Sequence, residues 1–158
     1  KLIVEKLFGT VTGKKISILG FSFKANTNDT RESAAINICR DLLEEGAILF
    51  INDIKVEANQ IAKDLNKREN KELKNLQVNS YTSNEGEWCF IENFNLSFTN
   101  SDAVVILTEW QDYANINWRK ISQNMIKPSW VFDSRSIVDK KQVLDAGLNI
   151  WRVGDGSV

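Results

Sequence analysis

Short apolar runs of four or five residues recur along this chain, each followed by a polar segment and then by a stretch with helical spacing. The first run is Ile16 to Leu19, ended by Gly20. A polar segment then leads into Ala34 to Leu43, with Asp29, Thr30 or Ser33 available to cap the helix start and Gly46 placed to end it. Ala47 to Ile51 is a second apolar run, ending at Asn52-Asp53. Continuous runs of this length suit strands buried on both faces of a parallel sheet. Residues 16–51 therefore predict a strand–helix–strand unit with a right-handed crossover.

The rest of the chain extends the pattern. Val56 to Leu65 predicts a short helix with Ile61, Ala62 and Leu65 on one side. Lys63 to Lys74 is highly charged and reads as a solvated face or a mobile connection. Leu76 to Tyr81 alternates weakly and predicts a third strand at an edge, and Glu85 to Phe98, rich in aromatics, predicts a helix packed on the sheet. Those aromatics read as core, because no basic residues interleave with them as a base-stacking platform requires. Ala103 to Leu107 is the clearest buried strand, tipped by Thr108-Glu109-Trp110. A helix over Ile116 to Met125, stopped by Lys127-Pro128, precedes a short strand at Trp130 to Phe132. A last helix, Ile137 to Ala146, is closed by Gly147, and a last strand runs from Leu148 to Val153. At the other end, Lys1 to Phe8 is apolar at positions 2, 3, 4, 7 and 8 and reads as the tail of a longer helix ended by Gly9. Strands alternating with helices give an α/β fold. The expected architecture is a doubly wound, Rossmann-like parallel sheet of five or six strands in three α/β/α layers, with the first strand central.

Composition narrows the function. At 158 residues and 42% hydrophobic the chain is one ordinary domain with a sizeable core. Twenty basic against 21 acidic residues, a net charge of -1, argue against a general nucleic-acid or membrane surface. No apolar stretch approaches the roughly 20 residues that span a bilayer. There is no histidine, which excludes a Ser-His or Cys-His hydrolase confined to this chain and removes the commonest zinc ligand. No metal site is expected. Cys39 and Cys89 lie far apart and fit free thiols in a reducing compartment. With no secretory signal pattern visible, a cytoplasmic location is expected.

Ligands of open α/β sheets bind beyond the carboxyl ends of the strands. Three such ends carry suitable chemistry: Phe23, Lys24 and Arg31 after the first run, Glu109-Trp110 after the Ala103 run, and Asp133 to Arg135 after the Trp130 run. Asp53 stands where a dinucleotide fold holds a ribose, but Gly20 alone replaces the three glycines of G-x-G-x-x-G, and a simple turn role for Asp53 fits as well. A basic side chain must then meet any phosphate. Lys24 as a point charge and Arg135 as a bidentate fork can converge on one anion. The alternative is that Arg135 makes a surface ion pair with Asp133 or Asp139.

Gly20-Phe21-Ser22-Phe23-Lys24, Asn28-Asp29-Thr30-Arg31-Glu32-Ser33, Thr108-Glu109-Trp110 and Phe132-Asp133-Ser134-Arg135 resemble the C-terminal domain of the UDP-glucose 6-dehydrogenases, within the nucleotide-sugar dehydrogenase family. The resemblance runs from about Leu7 to Val153 and is weakest between Asn66 and Asn100, which reads as an insertion. It implies that residues 1–12 end a central linker helix and that 13–158 form a UDP-sugar-binding domain. It also implies an enzyme that oxidises UDP-glucose to UDP-glucuronate with two NAD through a cysteine-bound intermediate. Phe23, Lys24 and Arg135 match positions that hold the nucleotide sugar, and Arg31 matches an arginine that reaches NAD across a cleft.

The family's catalytic cysteine lies in a glycine-rich motif that this chain does not contain, so neither Cys39 nor Cys89 takes that role, and the NAD fingerprint is also missing. The partners implied are the N-terminal and central domains of the same enzyme, in a homo-oligomer. Two other readings stay open: a related dehydrogenase of UDP-N-acetylmannosamine or GDP-mannose, and a stand-alone nucleotide-binding module.

Overall fold

In a computed structural model, which describes residues 1–7, 9–75 and 85–154, six strands form one sheet. They are β1 (Lys15–Leu19), β2 (Ile48–Asn52), β3 (Glu87–Phe90), β4 (Ala103–Ile106), β5 (Trp130–Asp133) and β6 (Asn149–Arg152). All neighbours are parallel, in the order β3-β2-β1-β4-β5-β6. Ile18 of β1 lies opposite Ile51 on one side and Val105 on the other. The expected doubly wound sheet with β1 at its centre is therefore what the chain forms. Because the winding reverses between β1 and β4, the loops after these two strands diverge and leave a crevice at their carboxyl ends.

Every residue of β1, β2 and β4 is buried, as continuous apolar runs require when both sheet faces are covered. One face carries Ile16, Ile18, Leu49, Ile51, Trp88 and Val105. It packs against α2 (Ala34–Glu44) through Cys39 and Leu42, against α3 (Ala58–Leu65) through Ile61 and Leu65, and against Leu7 just beyond α1 (Leu2–Lys6). The other face carries Leu19, Val104, Ile106 and Val131, and meets Ile121 of α4 (Trp118–Ser122) and Val143 of α5 (Lys140–Asp145). Each such side chain contributes on the order of 1.5–3 kcal/mol by leaving water, which is why the two layers close tightly on the sheet.

Two expectations fail between residues 63 and 98. Glu85 to Phe98 is not a helix: it supplies β3, followed by a single 3₁₀ turn at Phe94–Ser97. Trp88 enters one face of the sheet and Cys89 the other, where Ile48, Phe50, Leu73 and Ile91 surround it. A four-residue strand apolar on both faces has no period to distinguish it from a helix. The charged stretch before it is not simply solvated. Leu73 is buried within a 3₁₀ turn, Lys71–Asn75. The Lys67 carbonyl accepts the Trp88 indole N–H at 3.0 Å, and the Glu69 carboxylate accepts the Phe90 amide at 2.6 Å. The second contact, with the Asn70 amide donated to the Trp88 carbonyl at 2.8 Å, occupies main-chain groups that an edge strand otherwise leaves open. The strand expected at Leu76 to Tyr81 lies outside the described residues. The helix expected over Ile116 to Met125 is shorter, reduced to α4, which Asn117 caps by accepting the Lys120 amide.

Gly20 is where β1 turns towards the crevice. Its φ is +101°, and a Cβ there would stand 2.6 Å from the Thr108 backbone nitrogen and against that residue's side chain. Left-handed backbone costs a non-glycine residue about 1–2 kcal/mol, and crowding a packed site costs about 1–3 kcal/mol more. Gly20→Ala should therefore lose about 2–5 kcal/mol in urea denaturation; a loss under about 1 kcal/mol would show that the β1 and β4 ends separate easily.

Candidate functional site

The site is built outward from a buried carboxylate. Asp53, just past β2, is 4% exposed. One of its oxygens accepts the amides of Phe21 (2.7 Å) and Ser22 (3.0 Å) and the Trp110 indole (3.2 Å). The other accepts the amides of Lys55 and Val56, both at 2.8 Å. Both oxygens are thus engaged by the protein itself, so Asp53 is a turn residue and not a ribose acceptor. By pulling Phe21 and Ser22 towards β2 it sets how the loop leaves Gly20. The Ser22 carbonyl then takes the Thr108 hydroxyl at 2.8 Å, tying that loop to the end of β4.

The far side of the loop closes on α2. The Ser33 side chain accepts the Ala35 amide as the helix cap and donates to the Phe21 carbonyl at 2.8 Å. Of the three expected caps, Ser33 is the one used. Phe23 donates its amide to the Asp29 carbonyl at 2.7 Å, which folds residues 23–29 into a compact lobe. Asn26 within it and Glu32 just after it hold positive φ values of 67° and 61°. The second costs a glutamate more than an asparagine.

Arg135 spans the crevice. Asp133 turns the chain after β5 by accepting the amides of Arg135, Ile137 and Val138. That turn aims the guanidinium back over the sheet edge. Its Nε donates to the Leu107 carbonyl at 3.0 Å, Nη2 to the Phe23 carbonyl at 3.1 Å, and Nη1 pairs with Glu109 at 3.4 Å. The second Glu109 oxygen accepts the Ala25 amide at 2.7 Å. Arg135 is thus brought onto the Phe23–Ala25 loop. Its ion-pair partner is Glu109, and the pairing with Asp133 or Asp139 does not form. An acid at the end of the neighbouring strand was the overlooked signal: β4 and β5 are adjacent, so residues just past each end face one another.

Guanidinium has five N–H donors. Three are used, which leaves one on each terminal nitrogen. Lys24 is exposed and follows directly on Phe23, whose carbonyl takes Nη2 and whose residue is 43% exposed. Arg31 lies apart from them: its side chain is 88% exposed and forks onto Asp29, with Nη2 at 2.9 Å and Nε at 3.1 Å. The two thiols are far less available. Burial pushes Cys39 strongly up, and burial against Leu73 and Ile91 pushes Cys89 up to about 12, so neither forms a thiolate near neutrality. Among the described residues no cluster of His, Cys, Asp or Glu can hold a metal, and no helix is long and apolar enough to cross a membrane.

A parallel sheet with a basic fork at its switch point defines a doubly wound α/β domain whose crevice suits an anionic ligand. The chain belongs to the UDP-glucose/GDP-mannose dehydrogenase family, whose UDP-binding-domain model matches residues 17–140. It is 40% identical over 157 residues to the UDP-glucose 6-dehydrogenase of Drosophila melanogaster, covering 96% of this chain and 30% of that protein. It is 36% identical over 154 residues to UDP-glucose 6-dehydrogenase 3 of Oryza sativa, covering 96% of this chain and 32% of the relative. The chain therefore spans about a third of the length of these relatives. Among solved structures, a UDP-glucose dehydrogenase from Pyrobaculum islandicum superposes with a TM-score of 0.63 at 20% identity, covering 96% of this chain and 27% of that one. A UDP-D-ManNAc dehydrogenase from Pyrococcus horikoshii gives 0.64 at 21%, covering 98% and 29%. These two share the fold.

The Arg31 fork holds the Asp29 carboxyl at about 2, below its ordinary 3.8, chiefly by the side-chain hydrogen bond. A depressed carboxyl favours the folded lobe above its unfolded pKa and loses that contribution as pH falls towards 2. In Arg31→Ala the Asp29 carboxyl should titrate near its ordinary value in a carbon-detected NMR titration; an unchanged low value would mean that backbone amides hold it instead.

Proposed function

We propose that this chain is the UDP-binding domain of a UDP-glucose 6-dehydrogenase, holding the diphosphate of UDP-glucose between Lys24 and Arg135 with Phe23 beside the nucleotide. The carrying observation is that Arg135 is fixed by Leu107, Glu109 and Phe23 yet keeps an N–H on each terminal nitrogen beside the Lys24 loop. Such a preset fork meets phosphate oxygens with little further ordering. Relatives at 35–40% identity named UDP-glucose 6-dehydrogenase favour glucose over the N-acetylmannosamine of one structural neighbour.

In the whole enzyme the reaction takes the C6 alcohol of UDP-glucose to a carboxylate while two NAD accept the hydrides. NAD does not fit this chain on its own. The ribose position is filled by the saturated Asp53, and Gly20 stands without the other fingerprint glycines. Arg31, exposed and carried on the lobe between β1 and α2, is assigned to reach NAD held by another domain. Residues 1–12 are assigned to the end of a linker helix and 13–158 to the nucleotide domain, with the enzyme's other domains as partners in a homo-oligomer. What this chain contributes is therefore binding and orientation: Lys24 and Arg135 neutralise the diphosphate, and the sugar is left projecting from the crevice.

Two measurements check this. Titrating UDP into wild type, Lys24→Ala, Arg135→Ala and Arg31→Ala should show losses of roughly ten- to a hundredfold for the first two variants, one charge-assisted contact each. Arg31→Ala should bind UDP nearly as wild type does, and a loss equal to that of Arg135→Ala would overturn the division of roles. The purified 158-residue chain should form no NADH from UDP-glucose, since its two thiols are buried and it lacks the NAD fingerprint; measurable turnover would refute the assignment.

A further inference from the structure

At the amino end of β1, opposite the edge that carries Lys24, the Lys15 side chain runs beneath the sheet face that bears Phe50. The residue is 6% exposed. Its Nζ donates to the Thr99 carbonyl at 2.8 Å and stands 4.0 Å from the centroid of the Phe50 ring. An ammonium has three N–H donors. A carbonyl and a ring face take two, leaving one for a cavity of about 500 Å³ that Lys15 lines together with Phe50, Leu73, Lys74, Ile91 and Asn93. Among the described residues neither Lys15 nor Lys74 has a carboxylate within ion-pair distance.

We propose that this cavity binds a small organic anion, its acidic group held between Lys15 and Lys74 and its apolar body lying against Phe50, Leu73 and Ile91. A buried ammonium without a counter-charge is costly, and an anion entering beside it removes that cost. The apolar wall selects against a bare inorganic ion, which gains nothing from it, and the two cations select against a neutral ring. The surrounding groups do not supply the missing charge. Cys89 on β3 stays a neutral thiol, since burial pushes it up to about 12. Asp102 ahead of β4 spends one oxygen on the Lys15 main-chain amide, at 3.1 Å. Glu92, past β3, lines the cavity as its acid but is exposed to water, and Lys14 turns away, its Nζ donating to the Leu7 carbonyl at 2.8 Å.

Burial lowers Lys15 from 10.5 to about 8, so its charge is largely present at pH 7 and largely absent at pH 9. An anion that needs this charge binds about tenfold more weakly at pH 9 than at pH 7. Benzenesulfonate is a suitable probe because its own charge is constant over that range. In isothermal titration of the 158-residue chain, benzenesulfonate should bind at least about tenfold more tightly than inorganic sulfate or benzamide. Lys15→Met, which keeps the bulk of the stem and removes the charge, should lose both the binding and its pH dependence. Lys74→Gln, at an exposed position, should weaken binding without touching the core, and so tests the site even if Lys15→Met folds poorly. Benzamide binding as tightly as benzenesulfonate would overturn the proposal. So would affinity independent of pH, or unchanged in Lys74→Gln. This site does not depend on the nucleotide reading, since none of its residues belongs to the Lys24–Arg135 edge.

Discussion

A carboxylate taken out of water is tolerable only when its oxygens find donors, and Asp53 finds five of them. They come from three separate segments: the loop after β1, the turn after β2, and Trp110 after β4. No apolar contact could specify the relation of these strands so narrowly, because apolar contact has no direction. With Phe21 and Ser22 held, the close approach of Gly20 to Thr108 and the bond from Thr108 to the Ser22 carbonyl fall into place. Everything that carries Phe23 and Lys24 is downstream of that attachment.

The same device recurs at β5. Asp133, fully buried, accepts three amides of the residues that follow it, and this bends the chain so that Arg135 crosses back over the sheet. An acid at the last position of a buried strand, or just past it, thus does two jobs in this fold. It stops the strand by offering its amides a better partner than continued pairing, and it fixes the direction of departure. Lys24 and Arg135 are delivered to one edge because both flanking turns are made in this way.

The central sheet was legible because β1, β2 and β4 are mostly apolar runs buried along their whole length, and only a strand covered on both faces tolerates that. β3 was not, because Trp88 and Cys89 belong to opposite layers and four residues carry no measurable period. The charged segment before it misled for a related reason: Glu69 and Lys67 act through a carboxylate on a main-chain amide and through a carbonyl, and neither role leaves a hydrophobic trace. At the site, the convergence of Phe23 with Arg135 followed from strand order alone. The pairing of Arg135 with Glu109 needed the knowledge that the strands which end beside them are neighbours, which a search for nearby acids along the chain does not supply.

Two of the three groups that hold Arg135 are main-chain carbonyls, those of Phe23 and Leu107. Every residue type has such an oxygen, so the identities of positions 23 and 107 can drift over generations without releasing the guanidinium. The side-chain part of the arrangement is confined to Glu109 and Arg135, which must change together or not at all. Divergence in this edge should consequently appear as altered shape and stacking around an unmoved positive centre.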